Sequence, residues 1–181
     1  MDKELISAIT IGLATLALIS QIFLAIFIVG IFLLRLDKKN KEIKKITQFL
    51  SDNSLPFAFL VAVAATAGPL FLSEIAHFTP CKLCWFQRIF MFPQVLILGI
   101  ATFKNDFSIK RYILPMSVIG AAIAIYHYLL QTSPIPLPCS DEVANCTLKQ
   151  FAYFGYITIP LMSFTAFALI IFLMLFLKRQ K

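Results

Sequence analysis

The chain has 181 residues, 60% of them hydrophobic and 14% aromatic, with 19 Phe and only 14% charged residues; its mean hydropathy is +0.87. That composition excludes an ordinary soluble domain and describes an integral membrane protein. The net charge of +7 does not point to nucleic acid, because the basic residues concentrate in short segments between apolar runs, where they set membrane orientation.

From the N-terminus, Leu5 to Leu34 is an almost uninterrupted apolar run, longer than the ~20 residues that span a bilayer. Met1-Asp2-Lys3-Glu4 ahead of it lacks the basic n-region, short apolar core and small-residue cleavage site of a signal peptide, so the run reads as an uncleaved transmembrane helix. Next come Arg35, Lys38, Lys39, Lys41, Lys44 and Lys45. By the positive-inside rule this segment is cytoplasmic and the N-terminus is outside. Its apolar residues Leu36, Ile43, Ile46, Phe49 and Leu50 recur at helical spacing, which fits either a helix lying on the inner membrane surface or a solvated linker.

Leu55 to about Ile75 is the second predicted span, with Gly68-Pro69 as its expected kink. A third runs from about Cys84 to Phe103, and a fourth from Tyr112 to about Gln131. Lys104, Lys110 and Arg111 place the turn between them on the cytoplasmic side. Thr132 to about Phe154 forms the longest external loop, and the last span, Gly155 to Leu177, ends in the basic Lys178-Arg179-Gln180-Lys181. Five spans with every cysteine outside satisfy all the charge clusters. The predicted class is therefore an all-α integral membrane protein, with residues 1–54 forming an additional N-terminal transmembrane helix and basic segment, and 55–181 a four-helix transmembrane bundle.

The chemistry concentrates at Pro80-Cys81-Lys82-Leu83-Cys84-Trp85-Phe86-Gln87-Arg88. Two cysteines in CxxC spacing can close a disulfide, and a thiolate at a helix N-terminus is favoured by unpaired backbone N–H groups, which makes Cys84 the candidate acidic thiol. Arg88, four residues on, falls on the same helical face and sets a permanent cation beside the sulfur. A second pair, Cys139 and Cys146, sits in the external loop behind Pro134, Pro136 and Pro138, which hold the chain extended. Asp141 and Glu142 beside Cys139 either steer a partner or simply keep the loop in water. Four cysteines on external segments fit an oxidising compartment. No flavin, haem or dinucleotide motif is present in the sequence, so a disulfide that takes electrons from a partner must pass them to a mobile acceptor. In a bilayer that acceptor is a quinone.

CKLCWFQR opening one helix, YHYLLQ ending the next, and a Pro-flanked pair of loop cysteines before a final span together resemble the DsbB family of bacterial disulfide bond formation proteins, in particular its short BdbC-type members. The resemblance covers about Leu55 to Leu177. In the vitamin K epoxide reductase family the loop cysteines precede the CxxC, whereas here the CxxC comes first.

The resemblance implies an enzyme of the bacterial cytoplasmic (inner) membrane, with both cysteine pairs on the extracytoplasmic side. Such an enzyme reoxidises a DsbA-like, thioredoxin-fold thiol oxidase and hands the electrons to ubiquinone or menaquinone of the membrane pool. It further implies that Cys81 and Cys84 are the inner redox pair, with Cys84 facing the quinone. Cys139 would form the mixed disulfide with the partner and Cys146 would exchange with Cys81. Arg88 corresponds to the quinone-site arginine and His127 to a histidine near the quinone.

Other readings stay open on the sequence alone. The cysteines could be structural disulfides or a four-cysteine zinc site in a non-enzymatic protein. Arg88 could snorkel, and His127 could be a satisfied interfacial histidine. Trp85, Tyr126, Tyr128, Tyr153 and Tyr156 fit an aromatic belt. Electron flow could run in the reductive direction, and resting disulfides could be Cys81 to Cys84 with Cys139 to Cys146, or a crossed Cys81 to Cys146 bond.

Overall fold

Apolar runs this long can satisfy their backbone in a membrane only as helices, and the computed structural model, which describes residues 3–35, 41–132 and 146–177, is helical throughout its spans. In chain order these are α1 (Lys3–Arg35), α2 (Lys41–Leu70), α3 (Lys82–Lys104), α4 (Lys110–Thr132) and α5 (Ile159–Phe176). Among the described residues, five helices are long and apolar enough to cross a membrane. The chain is a multi-pass, all-α membrane protein. Helices α2, α3, α4 and α5 pack in a ring, each against the next and α5 back against α2, while α1 lies outside the ring against α5.

The ring closes on small residues and a few polar pairs. Gly120 of α4 faces the Phe167 ring of α5, and a Cβ there would collide with it. A glycine at this position is what lets the two backbones approach. Deep in the bundle Ser117 Oγ donates to Gln94 Oε1 at 2.9 Å, and Gln94 Nε2 donates to the Phe90 carbonyl at 2.9 Å. Both side chains are fully buried, so this is an interhelical hydrogen bond worth about 0.6–2 kcal/mol in a membrane.

Two features differ from the sequence expectation. The amphipathic segment before the second span is no separate surface helix, because α2 runs without a break from Lys41 to Leu70, with Pro56 and Pro69 inside it. Ile46 and Phe49 are exposed on that extension while Leu50 is buried. The last span begins at Ile159 rather than Gly155. Residues Tyr153–Ile157 instead form a tight turn in which the Tyr153 and Ile157 backbones exchange hydrogen bonds of 3.0 and 2.9 Å. Phe154 (φ 52°) and Gly155 (φ 81°) carry the left-handed backbone this turn requires.

The expected kink at Gly68-Pro69 takes the form of a π-helical turn just beyond it. Residues Phe71–Ile75 are π-helical, and the Ala76 N–H donates to the Phe71 carbonyl at 3.0 Å. Proline removes a helical donor, and a wider turn is a usual accommodation. The chain then reverses through His77 (φ 56°) to enter α3.

At the opposite end of the bundle, Asn105 closes α3 in the left-handed conformation (φ 51°) and the Asp106 N–H donates to the Ala101 carbonyl at 3.0 Å. Asp106 accepts from the Ser108 hydroxyl at 2.6 Å and from its N–H at 2.9 Å, which holds its carboxyl below the usual range. Lys110 Nζ donates to the Leu175 and Leu177 carbonyls at 3.3 and 3.5 Å, placing a cation at the C-terminus of α5.

Candidate functional site

The site begins where α3 begins. Cys81 is the N-cap, extended at φ −77° and ψ 172°, and its carbonyl accepts the first helical hydrogen bond from the Trp85 N–H at 3.2 Å. One helical turn then sets Cys84 beside it, with the two sulfurs 3.6 Å apart. Both are thiols. His127, near the end of α4 and 2% exposed, presents Nε2 to Cys81 Sγ at 3.6 Å, while its Nδ1 lies 3.1 Å from the Gln87 amide. With one ring nitrogen held by Gln87 the other is aimed at sulfur.

The Cys81 thiol, at the mouth of the α3 span, is held below its ordinary value by its neighbours. Its ordinary value of 9.0 falls to about 4. The hydrogen bond with Cys84 is the main cause, with His127 adding to it against the opposing effect of burial. Cys81 thus meets both the neighbouring thiol and the imidazole, and the contact with His127 depends on the packing of α4 against α3.

Cys146, 1% exposed, packs with Cys81 and Leu130 in a small buried cluster. It is disulfide-bonded; Cys139 lies outside the described residues, as do Pro134, Pro136, Pro138, Asp141 and Glu142. The described part of this loop is pinned by two glutamines. Gln131 Nε2 donates to the Leu148 carbonyl at 3.3 Å, and Gln150 Nε2 to the Thr79 carbonyl at 3.0 Å. A Cys81 to Cys146 bond is not the one formed here, since Cys81 is free.

Two cavities meet at Cys84. One, of about 290 Å³, is bordered by Cys81, Cys84, His127, Gln131 and Cys146. The other, of about 250 Å³, is strongly apolar and runs between α1, α2, α3 and α5, with Cys84, Gln87, Arg88, Met91, Leu60 and Met162 on its walls. Cys84 is the one described cysteine on both. Arg88 is buried, at 7% exposure. Its Nη2 donates to the Pro69 carbonyl at 2.8 Å, and its guanidinium carbon stands 5.1 Å from the Trp85 ring centroid. The buried Arg88 Nε has no hydrogen-bond partner among the described residues. A buried donor on a cation, left unpaired at the wall of an apolar cavity, suits an oxygen-bearing apolar ligand.

The structure thus brings Cys81, Cys84, Arg88, His127 and Cys146 to one end of the bundle. Gln87 belongs to the same site and was not singled out from sequence. Its spacing was the available signal, since position 87 shares a helical face with Cys84 and Arg88. The Cys81 and Cys84 sulfurs and a His127 ring nitrogen also lie within 4.8 Å of one another, a set of soft donors that a zinc ion can use.

A dithiol pair at a helix mouth, packed on a disulfide-bonded cysteine and an imidazole, defines a membrane thiol–disulfide oxidoreductase. Residues 51–177 match the family model described as disulfide bond formation protein DsbB. The chain belongs to the DsbB family, whose role is thiol oxidation in disulfide bond formation. It is 50% identical over 127 residues to disulfide bond formation protein C of Bacillus subtilis (strain 168), covering 68% of this chain and 91% of that protein. It is 40% identical over 131 residues to a probable disulfide formation protein of Metapseudomonas resinovorans, covering 71% and 91% of the two chains. A probable disulfide formation protein of Oceanobacillus iheyensis is 41% identical over 142 residues, covering 76% and 97%. No solved structure matches the chain.

Proposed function

We propose that the protein is a dithiol:quinone oxidoreductase of the bacterial cytoplasmic membrane. It reoxidises a DsbA-like, thioredoxin-fold thiol oxidase at the extracytoplasmic face and delivers the electrons to ubiquinone or menaquinone. The observation that carries this reading is the position of Cys84, shared between a cavity that holds the loop cysteine and an apolar cavity walled by a buried cation.

Electrons and protons balance in three exchanges. The partner's dithiol reduces the Cys139 to Cys146 disulfide and is itself oxidised. The two loop thiols then reduce a Cys81 to Cys84 disulfide through a Cys146 to Cys81 mixed disulfide, and the loop bond re-forms. Closing the Cys81 to Cys84 bond again releases two electrons and two protons, which a quinone held beside Cys84 and Arg88 would accept.

The chain's own groups have defined tasks in this scheme. His127 Nε2 and the Cys84 thiol stabilise Cys81 as a thiolate, so the sulfur next to Cys146 is the better nucleophile and leaving group. Arg88 offers its unpaired Nε to an anionic oxygen in the apolar cavity, and Gln87 orients His127. Met91, Leu60 and Met162 exclude water from that cavity.

Anaerobic mixing with a reduced DsbA-like partner and excess quinone, followed by quinol absorbance, tests this. Wild-type turnover that disappears in Cys84→Ser is expected. Failure of the wild type to reduce quinone, with partner and quinone verified active, would remove the reading. The Cys81, Cys84 and His127 donor set could also hold zinc when the pair is reduced, which stoichiometric zinc in the purified chain would support.

A further inference from the structure

Helix α1 lies outside the region matched to the family, which begins at residue 51, yet it walls the apolar cavity. Leu13, Leu16, Ala17 and Ser20 all border it, across from Arg88 and Cys84. Ala17 is nearly buried, at 8% exposure. Leu13 also faces Gly68 of α2. A Cβ at Gly68 would meet both Leu13 methyl groups at 3.6 Å, one residue before the Pro69 carbonyl that holds Arg88.

The wall is held by polar contacts together with Phe27, which packs edge-on against Phe172 and Phe176 of α5. Only 11% of the α1 span is buried, against 28 to 39% for the other four. Gln21 Nε2 donates to Thr165 Oγ1 at 2.9 Å, and its Oε1 accepts from the Tyr156 hydroxyl at 3.0 Å. Nearer the mouth, the hydroxyls of Thr10 and Tyr153 are 2.8 Å apart. Thr165 itself borders the cavity. In hydrocarbon a glutamine side chain without partners is costly, so this pairing fixes both the rotation of α1 and the distance of its small face from α5.

We propose that α1 is a component of the acceptor site: its Leu13–Ala17 face contacts the bound membrane quinone, excludes lipid from it, and limits the bulk of the quinone accepted. The proposal rests on the quinone reading above. Without α1 the cavity would open sideways to lipid, because three of its four helical walls belong to the ring and the fourth is α1. The family core supplies the cysteines and the arginine, and α1 adds a size filter to them.

The test uses the full-length chain in a graded series at one position, Ala17→Val and Ala17→Phe, with Gln21→Leu as the latch variant. Quinone KM and kcat are measured with a compact, tailless quinone and with a long-tailed one. Quinone binding is read independently through quenching of Trp85, the single tryptophan of the chain, and oxidation of the reduced partner in a single turnover without quinone reports that the cysteine relay is folded. The expected result is a quinone KM that climbs with side-chain volume, about tenfold or more for Ala17→Phe, while kcat changes much less. Weakened Trp85 quenching should track KM, and Gln21→Leu should narrow the discrimination between the two quinones.

A KM and a quenching affinity that stay flat across the series, in a wild type that reduces quinone, would overturn the role of α1 and leave the oxidase intact. If Ala17→Phe also loses the single-turnover reaction, Ala17→Val decides, since its added volume is small. A wild type that neither reduces quinone nor shows quenching would remove the quinone reading and this proposal together.

Discussion

Arg88 donates through Nη2 to the Pro69 carbonyl at 2.8 Å, so a backbone oxygen from α2 fixes the cation that α3 carries behind Cys84. That partner is neutral, and the buried Nε has no hydrogen-bond partner among the described residues.

Removing that cation should separate the two halves of the reaction. Arg88→Met is expected to lower quinone kcat/KM by roughly ten- to a hundredfold, the range for a lost charge-assisted hydrogen bond of ~1.5–3 kcal/mol. Single-turnover oxidation of the partner should be nearly unchanged. Arg88→Lys should recover only part, because an ammonium cannot both reach Pro69 and present a second planar donor. Equal losses in both half-reactions would show that Arg88 acts on the cysteines rather than on the acceptor.

Cys81 sets a pH dependence. With the thiol lowered to about 4, it stays ionised as the pH falls through neutrality, so its alkylation by iodoacetamide in the reduced protein should slow only as the pH approaches 4. The same downward shift stabilises the reduced fold above the ordinary value of 9.0, and the contribution is lost as the pH falls through about 4. In His127→Ala the alkylation midpoint should move upward. An unmoved midpoint would assign the acidity to Cys84 alone.

Gly120 and Phe167 should behave as one unit. Gly120→Ala forces the Phe167 ring to move and is expected to cost about 1–3 kcal/mol, read as a lower unfolding temperature in detergent. Adding Phe167→Leu should recover part of the loss, and the double mutant should be less destabilised than the sum of the singles. Strict additivity would mean that the ring does not limit the approach of α4 to α5.

Zinc should discriminate between redox states. The Cys81, Cys84 and His127 donors are within 4.8 Å of one another as thiols and imidazole, so added Zn²⁺ is expected to protect both cysteines of the reduced protein from alkylation. Protection should weaken in His127→Ala and vanish once the Cys81 to Cys84 disulfide forms. Zinc that survives oxidation of the pair would have to sit elsewhere.

Hydropathy and charge clusters were enough to read the five spans, because a lipid solvent leaves the backbone almost no alternative to helix. The ends of the elements were less legible. Whether residues 41–54 form a separate surface helix or extend α2 depends on packing that buries Leu50, which periodicity does not report. The start of α5 is not legible in the sequence because Gly155 continues an apolar run, whereas its positive φ serves the Tyr153–Ile157 turn. At the site, the residues of CKLCWFQR could be read through their spacing on one helix. The proximity of His127 to Cys81 could not, since it depends on the packing of α4 against α3. Nor could the acidity of Cys81, which arises from that meeting. The place of Leu13 and Ala17 on the cavity wall was equally hidden, because nothing in an apolar helix distinguishes a residue facing lipid from one facing a ligand.

The junction at Cys84 has one further consequence, which concerns insulation. Cys81 and Cys146 border only the more polar cavity, and Arg88 borders only the apolar one. Among the described cysteines, Cys84 alone offers a connection between them. On the proposed reading, a strong oxidant in lipid and a pool of thiols in water are kept from reacting directly, and current flows only when the intervening sulfurs are in the right bonding state. Selectivity for the partner then lies on the loop side, at the cavity that Cys81 and Cys146 share, and selectivity for the acceptor in the membrane.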